Sequence, residues 1–349
     1  MKNILNKTWQ MFAGVSIAAS MAWAAPVMAA GDLNIYNWGE YTPPEMIEKF
    51  EKAYDVKVRI DTYDSMETML AKLKSGAGDY DIIVPGDGMV SILIKEGLLQ
   101  QINTFEMENY ANVADRWRDV YWDKGRKYSA PWAWGSTAFV VDTDIVKGDY
   151  NTLKVLFDPE DAVKGKINML RDVNDVINMA LRYLDLPRCN ANPADLKQVL
   201  ALLLEQKESL LSYNSETKEL LVSGEATVSM SWNGYAMRSR AEKSSLKYVY
   251  PREGFTGWMD NVAVPSGATN LENAKLFVNF VMAPENAAMI TSYANYSNGI
   301  TGSDKFYDAS LAAAPELNPP ADAPAPEFVP DCGPKVTKLY DRVWTKLLL

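Results

Sequence analysis

The residues that could do chemistry are aromatic rings and carboxylates placed where extended segments end. Trp38, Glu40 and Tyr41 follow an alternating segment, and Asp87 sits between Gly86 and Gly88. Asp172 and Asp175 are three residues apart ahead of an apolar run. Trp232 closes one later segment, and Trp258 with Asp260 flanks another. Each has an ordinary alternative. Asp172 and Asp175 could cap a helix and acidify its first turn, Asp87 could be a turn residue, and the tryptophans could be core. Their combination is harder to explain that way, because carboxylates beside tryptophan are costly to bury without a cation. It suits an alkyl-ammonium ligand: each ammonium offers three donors to carboxylates, while indole faces attract the charge and cover the methylenes.

Composition removes most competing chemistry. The 349 residues include no histidine and two cysteines, which excludes Ser-His-Asp and Cys-His nucleophiles, His-bearing zinc sites, Cys₄ sites and iron–sulfur clusters. Lys and Arg number 35 against 45 Asp and Glu, a net charge of −10, and this argues against nucleic acid as a partner. Lys2 and Lys7, the apolar stretch from Met11 to Ala25 and the small-residue pattern Val27-Met28-Ala29 read as an export signal over 1–29, cut after Ala29 or Ala30. No later stretch has the length of a membrane span, so a soluble, exported protein is expected. Outside the cytosol Cys189 and Cys332 are expected to pair.

The elements that would position these groups alternate. A strand over 33–38, a helix over 43–54, a strand over 56–63, a helix over 65–74 and a strand over 80–85 give an open α/β sheet, which binds ligands at the carboxyl ends of its strands. The pattern restarts after an extended segment within 127–142, with a strand over 166–170, a helix over 174–184 and a long helix over 193–211. Strands follow over 227–232, 247–250 and 258–265, then a helical stretch over 270–294 broken at Pro284. Six prolines between Pro315 and Pro330 predict an extended surface strap. The chain thus reads as two α/β lobes crossed near 135–140 and 256–262. The first comprises 30–137 and 258–304, the second 138–257 with a tail over 305–349.

Five segments resemble the periplasmic polyamine-binding proteins, the spermidine/putrescine receptors of bacterial ABC transporters. They are Tyr36-Asn37-Trp38-Gly39-Glu40-Tyr41 with Pro43-Pro44, then Tyr80 to Pro85, Pro131 to Ala138, and Asp172-x-x-Asp175 leading to Asn178-Met179-Ala180-Leu181-Arg182. The fifth is Ser231-Trp232-Asn233-Gly234 with Trp258-Met259-Asp260. The resemblance implies a two-lobed periplasmic-binding-protein fold of type II, each lobe an open mixed sheet flanked by helices. It implies a monomer without a cofactor that closes on a polyamine and delivers it to an inner-membrane permease. Trp38, Tyr41, Trp232, Trp258 and Tyr296 then resemble the aromatic box, and Asp172, Asp175 and Asp260 the ammonium-holding carboxylates. Glu40 takes the acidic position beside the first tryptophan. The chain departs from the family at Gly86-Asp87-Gly88, where a serine and then an aromatic are usual, so Asp87 is an extra acid at the site. It departs again at Asp175, where glutamate is common, and at Pro330-Asp331, where a polar ligand contact is usual. Three other readings share these residues: a polyamine sensor docked on a membrane signalling protein, a hydrolase using Asp172 and Asp260, and a metal receptor with oxygen ligands from Glu40, Asp87, Asp172, Asp175 and Asp260.

Overall fold

The computed structural model describes residues 31–76 and 78–349; the export signal over 1–29 lies outside the described residues. The first elements are β1 (Gly31–Trp38), α1 (Pro44–Tyr54), β2 (Val56–Tyr63), α2 (Met66–Ser75), β3 (Ile82–Ile83) and α3 (Asp87–Lys95). Local chemistry sets their limits. α1 starts on a proline, whose missing N–H costs nothing there, and buries Met46, Ile47 and Phe50. Ser65 caps α2 by accepting from the Thr68 N–H, and Gly76 ends it in the left-handed region. Gly86 precedes α3, so Asp87 opens a helix.

The chain continues through β4 (Ser129–Asp142), α4 (Lys154–Phe157), β5 (Ile167–Met169), α5 (Val173–Tyr183), α6 (Pro193–Lys207), β6 (Leu210–Tyr213), α7 (Thr217–Ser223), β7 (Val228–Trp232) and α8 (Asn233–Glu242). It ends with β8 (Leu246–Val249), β9 (Thr256–Ala263), α9 (Leu271–Val281), α10 (Pro284–Ala294), α11 (Ala309–Ala312), β10 (Glu327–Phe328) and α12 (Gly333–Leu348). The helix expected over 193–211 stops at Lys207, because Leu210–Tyr213 is taken as a parallel edge strand on β5. Asn168 on β5 holds that edge by accepting from the Ser212 hydroxyl and donating to the Asn214 carbonyl. Helix-favouring leucines yield here to pairing with a distant strand.

The strands run in the order β2-β1-β3-β9-β4-β7-β5-β6, with β10 on β9 and β8 on β4. β1 pairs in parallel with β2 and β3, whereas β9 is antiparallel to β3 and β4. The sheet path is continuous because β4 serves two neighbours in turn. It pairs with β9 from Ser129 to Thr137 and with β7 from Thr137 to Val141. One core joins residues of β1 to α3 with β9 and α9, around Phe50, Trp132 and Phe277. A second gathers β5, α5, α6, β7 and α12 around Phe139, Leu181 and Tyr340. Trp232 packs against both.

The proline-rich strap is held more firmly than an exposed segment would be. Glu316 is buried and takes both arms of the Arg240 guanidinium at 2.5 and 2.9 Å. Phe328 rests on Trp117 and Trp122, and Glu327 pairs with Arg182 and Arg188. Cys189 and Cys332 form a disulfide, with Cα atoms 5.0 Å apart. It ties the start of α12, a helix not anticipated from the tail's composition, to the loop between α5 and α6.

Candidate functional site

Two pairs of carboxylates stand on β9 with the start of α3, and at the start of α5. Asp260 lies on β9 opposite Gly86, with which it forms an isolated antiparallel bridge. Its Oδ2 accepts from the Tyr41 hydroxyl at 2.8 Å. Burial raises its pKa to about 7 despite that bond, with Asp87 adding to the rise. Asp87 is buried, accepting from its neighbour Gly88 N–H at 2.6 Å and from the Met259 N–H at 3.2 Å. Burial lifts it to about 7 as well, against the pull of those two donors. Both acids are thus kept near neutrality by lack of solvent, and a bound cation would reverse that balance.

The second pair stands on α5. Asp172 is the N-cap, its Oδ1 accepting from the Asp175 N–H at 2.8 Å. That capping role coexists with a pKa raised by burial and by Glu67 of α2. Asp175 accepts from the Trp232 indole N–H at 3.1 Å, and burial followed by the Asp172 charge pushes its carboxyl well up. Among the described residues, none of these four carboxylates forms an ion pair with lysine or arginine.

Aromatic rings cluster beside these acids, Tyr41 on Asp260 and Trp232 on Asp175. Trp38 packs on Tyr63 at 4.6 Å, and Tyr63 is fixed by its hydroxyl donating to the Val84 carbonyl. Tyr296 meets Trp258 edge-on at 5.0 Å and Tyr41 at 6.0 Å. Two glycines make room for these rings. A Cβ on Gly234 would stand 2.5 Å from the Tyr296 ring, and one on Gly135 2.4 Å from Trp258. Replacing Gly234 by Ala is therefore expected to cost about 1–3 kcal/mol by overpacking and to weaken ligand capture with it. A urea midpoint equal to the wild type's would mean that the Tyr296 ring moves aside freely.

Glu40, also an expected site residue, differs from the four aspartates. It is exposed, in the left-handed region at φ 51°, and its charge acts on Tyr235 rather than on the four aspartates. The metal-receptor reading finds no support either, since among the described residues no three His, Cys, Asp or Glu side chains gather as ligands. Sequence reasoning passed over Tyr63, Glu67, Tyr121, Tyr235 and Arg238. Tyr121 stands beside Asp87 and Asp331, whose charges add to the rise that burial imposes on its hydroxyl. It supplies an aromatic near the turn that lacks one in sequence. Only Tyr235 and Arg238 carried a legible signal, three residues apart on the helix that Trp232 opens.

A family model described as bacterial extracellular solute-binding protein matches residues 45–319. The chain belongs to that family. Similar relatives include the spermidine/putrescine-binding periplasmic protein of Escherichia coli K12, 31% identical over 347 residues, 98% of this chain and 99% of that one. The putrescine-binding periplasmic protein SpuD of Pseudomonas aeruginosa is 30% identical, with 95% and 96% of the two chains covered. Among solved structures, a Listeria monocytogenes protein described as a spermidine/putrescine ABC transporter superposes with a TM-score of 0.83 at 28% identity, over 91% of this chain and 99% of that one. The architecture is therefore the two-lobed periplasmic-binding-protein fold. Members of this family are substrate-binding proteins and not enzymes, which sets the hydrolase reading aside. Its relatives are periplasmic by name. Among the described residues no helix is long and apolar enough to cross a membrane.

Proposed function

We propose that this solute-binding protein captures a polyamine of the putrescine/spermidine type between its lobes and delivers it to an inner-membrane ABC permease. The observation that carries the reading is the set of four desolvated aspartates, without a lysine or arginine partner among the described residues, beside aromatic rings. Asp87 and Asp260 take one ammonium and Asp172 with Asp175 another, while Trp38, Tyr41, Trp232, Trp258 and Tyr296 cover the alkyl chain. Glu40 contributes field from the rim. The lobes are 30–137 with 258–304, and 138–257 with 305–349. A ligand bridging them favours closure by its greater affinity for the closed form. The names of the relatives support the ligand class and the transport role. The test is calorimetric titration of the monomeric mature chain, refolded to strip carried-over ligand, with putrescine, cadaverine, spermidine and spermine against an uncharged diol. Silence with every amine would remove the reading.

The same carboxyls set a pH dependence. Amine affinity is expected to fall by up to about tenfold per pH unit for each proton displaced, as pH drops below about 7. The ligand-free protein follows the opposite course. Its Asp87 and Asp260 hold protons up to about pH 7, whereas unfolded carboxyls lose theirs near about 3.9. The folded state therefore binds more protons between those values, and its stability declines as pH rises through that window. Melting curves without ligand between about pH 5 and pH 8 check this. A melting temperature that climbs steadily toward pH 8 would contradict it.

A further inference from the structure

Arg238 is a cation to which the reading above gives no role. It lies on α8 with its guanidinium carbon 4.3 Å from the centre of the Tyr235 ring, and Tyr235 lies 5.7 Å from Trp232. On the other side stands Tyr296, whose hydroxyl is lifted by burial and eased by the Arg238 charge. The guanidinium thus sits where a wall from α8 meets the ring that follows α10. Its Nε is buried with no hydrogen-bond partner. Among the described residues no carboxylate forms an ion pair with it. An arginine guanidinium is a fixed cation in proteins.

The charges around the cleft are therefore uneven. Two pairs of aspartates, Asp87 with Asp260 and Asp172 with Asp175, each suit one ammonium. Outside those pairs, Glu216, Glu40 and Glu219 act on Tyr235 in opposition to Arg238, so their field there is offset in part. We infer that Arg238 is a specificity residue that sets the number of ligand ammoniums at two, admitting short diamines and repelling a third charge. This rests on the polyamine reading and narrows it. Repulsion from a fixed charge in a partly desolvated site discriminates more strongly than a missing contact would.

The test is calorimetric titration of the whole mature protein, wild type, Arg238→Gln and Arg238→Lys, with putrescine and spermidine. Wild type is expected to bind putrescine about tenfold or more tighter than spermidine. Arg238→Gln is expected to move the ratio of the two Kd values toward spermidine by about tenfold or more, and Arg238→Lys to keep the wild-type ratio because the charge stays. If both amines bind and the ratio is the same in wild type and Arg238→Gln, the role of Arg238 is overturned while the polyamine reading stands. Wild type that binds spermidine as tightly as putrescine overturns it too, whether or not the glutamine variant folds. Wild type that binds neither amine overturns the polyamine reading and this inference together.

Discussion

Asp260→Ala is expected to weaken amine binding by about 2–3 kcal/mol, roughly 30–150-fold in Kd. In the proposed site Asp260 makes a charge-assisted bond to an ammonium, and its loss also strips the Tyr41 hydroxyl of its acceptor. Tyr41 is buried and touches Tyr296 and Trp132, so one deletion disturbs charge and aromatic wall together. Asp260→Asn separates the two effects, since the amide oxygen can still accept from Tyr41 while the charge is gone. Titration of both variants with the best wild-type amine decides the matter. An unchanged Kd in Asp260→Ala would show that this carboxylate does not touch the ligand.

Removing the disulfide carries the largest expected effect on stability. Cys189 and Cys332 are 143 residues apart in sequence, and closing a loop of that length is worth about 5 kcal/mol in the chain-entropy model. That is a large share of the 5–15 kcal/mol by which folded domains exceed their unfolded chains. The bond fastens α12 where Val336, Tyr340, Val343 and Leu347 are buried against the second core. Tyr340 also accepts from the Asn190 N–H next to the bridge. The double variant Cys189→Ser, Cys332→Ser is expected to unfold at markedly lower urea than the oxidised protein. A loss below about 1 kcal/mol would mean that the packing of α12 confines the tail without the covalent link.

Much of the arrangement can be read from residues near one another in the chain. The opening β-α alternation follows from periodicity, from Pro44 at the start of α1 and from Ser65 and Gly76 at the ends of α2. The absence of histidine removes imidazole chemistry, and the acids past β3 and β5 are visible as strand-end residues. Local order and residue type suffice for these, because a helix cap or a strand end is built by neighbours. β6 is not legible in this way. Leu210 and Leu211 continue a helical pattern, and only the free edge of β5 makes them a strand.

What the sequence by itself determined is the two-lobed α/β plan and the cysteine pair. Tertiary structure alone decided how those groups are charged and who faces whom. The raised pKa values of Asp87 and Asp260 come from solvent lost when β9 is laid against the start of α3, which no spacing along the chain encodes. Glu40 is exposed in a left-handed turn, and Tyr296 comes within reach of Arg238 where Gly234 leaves room for its ring. Desolvation and contact across lobes depend on surfaces brought together from distant parts of the chain, so they exist only once the chain has folded.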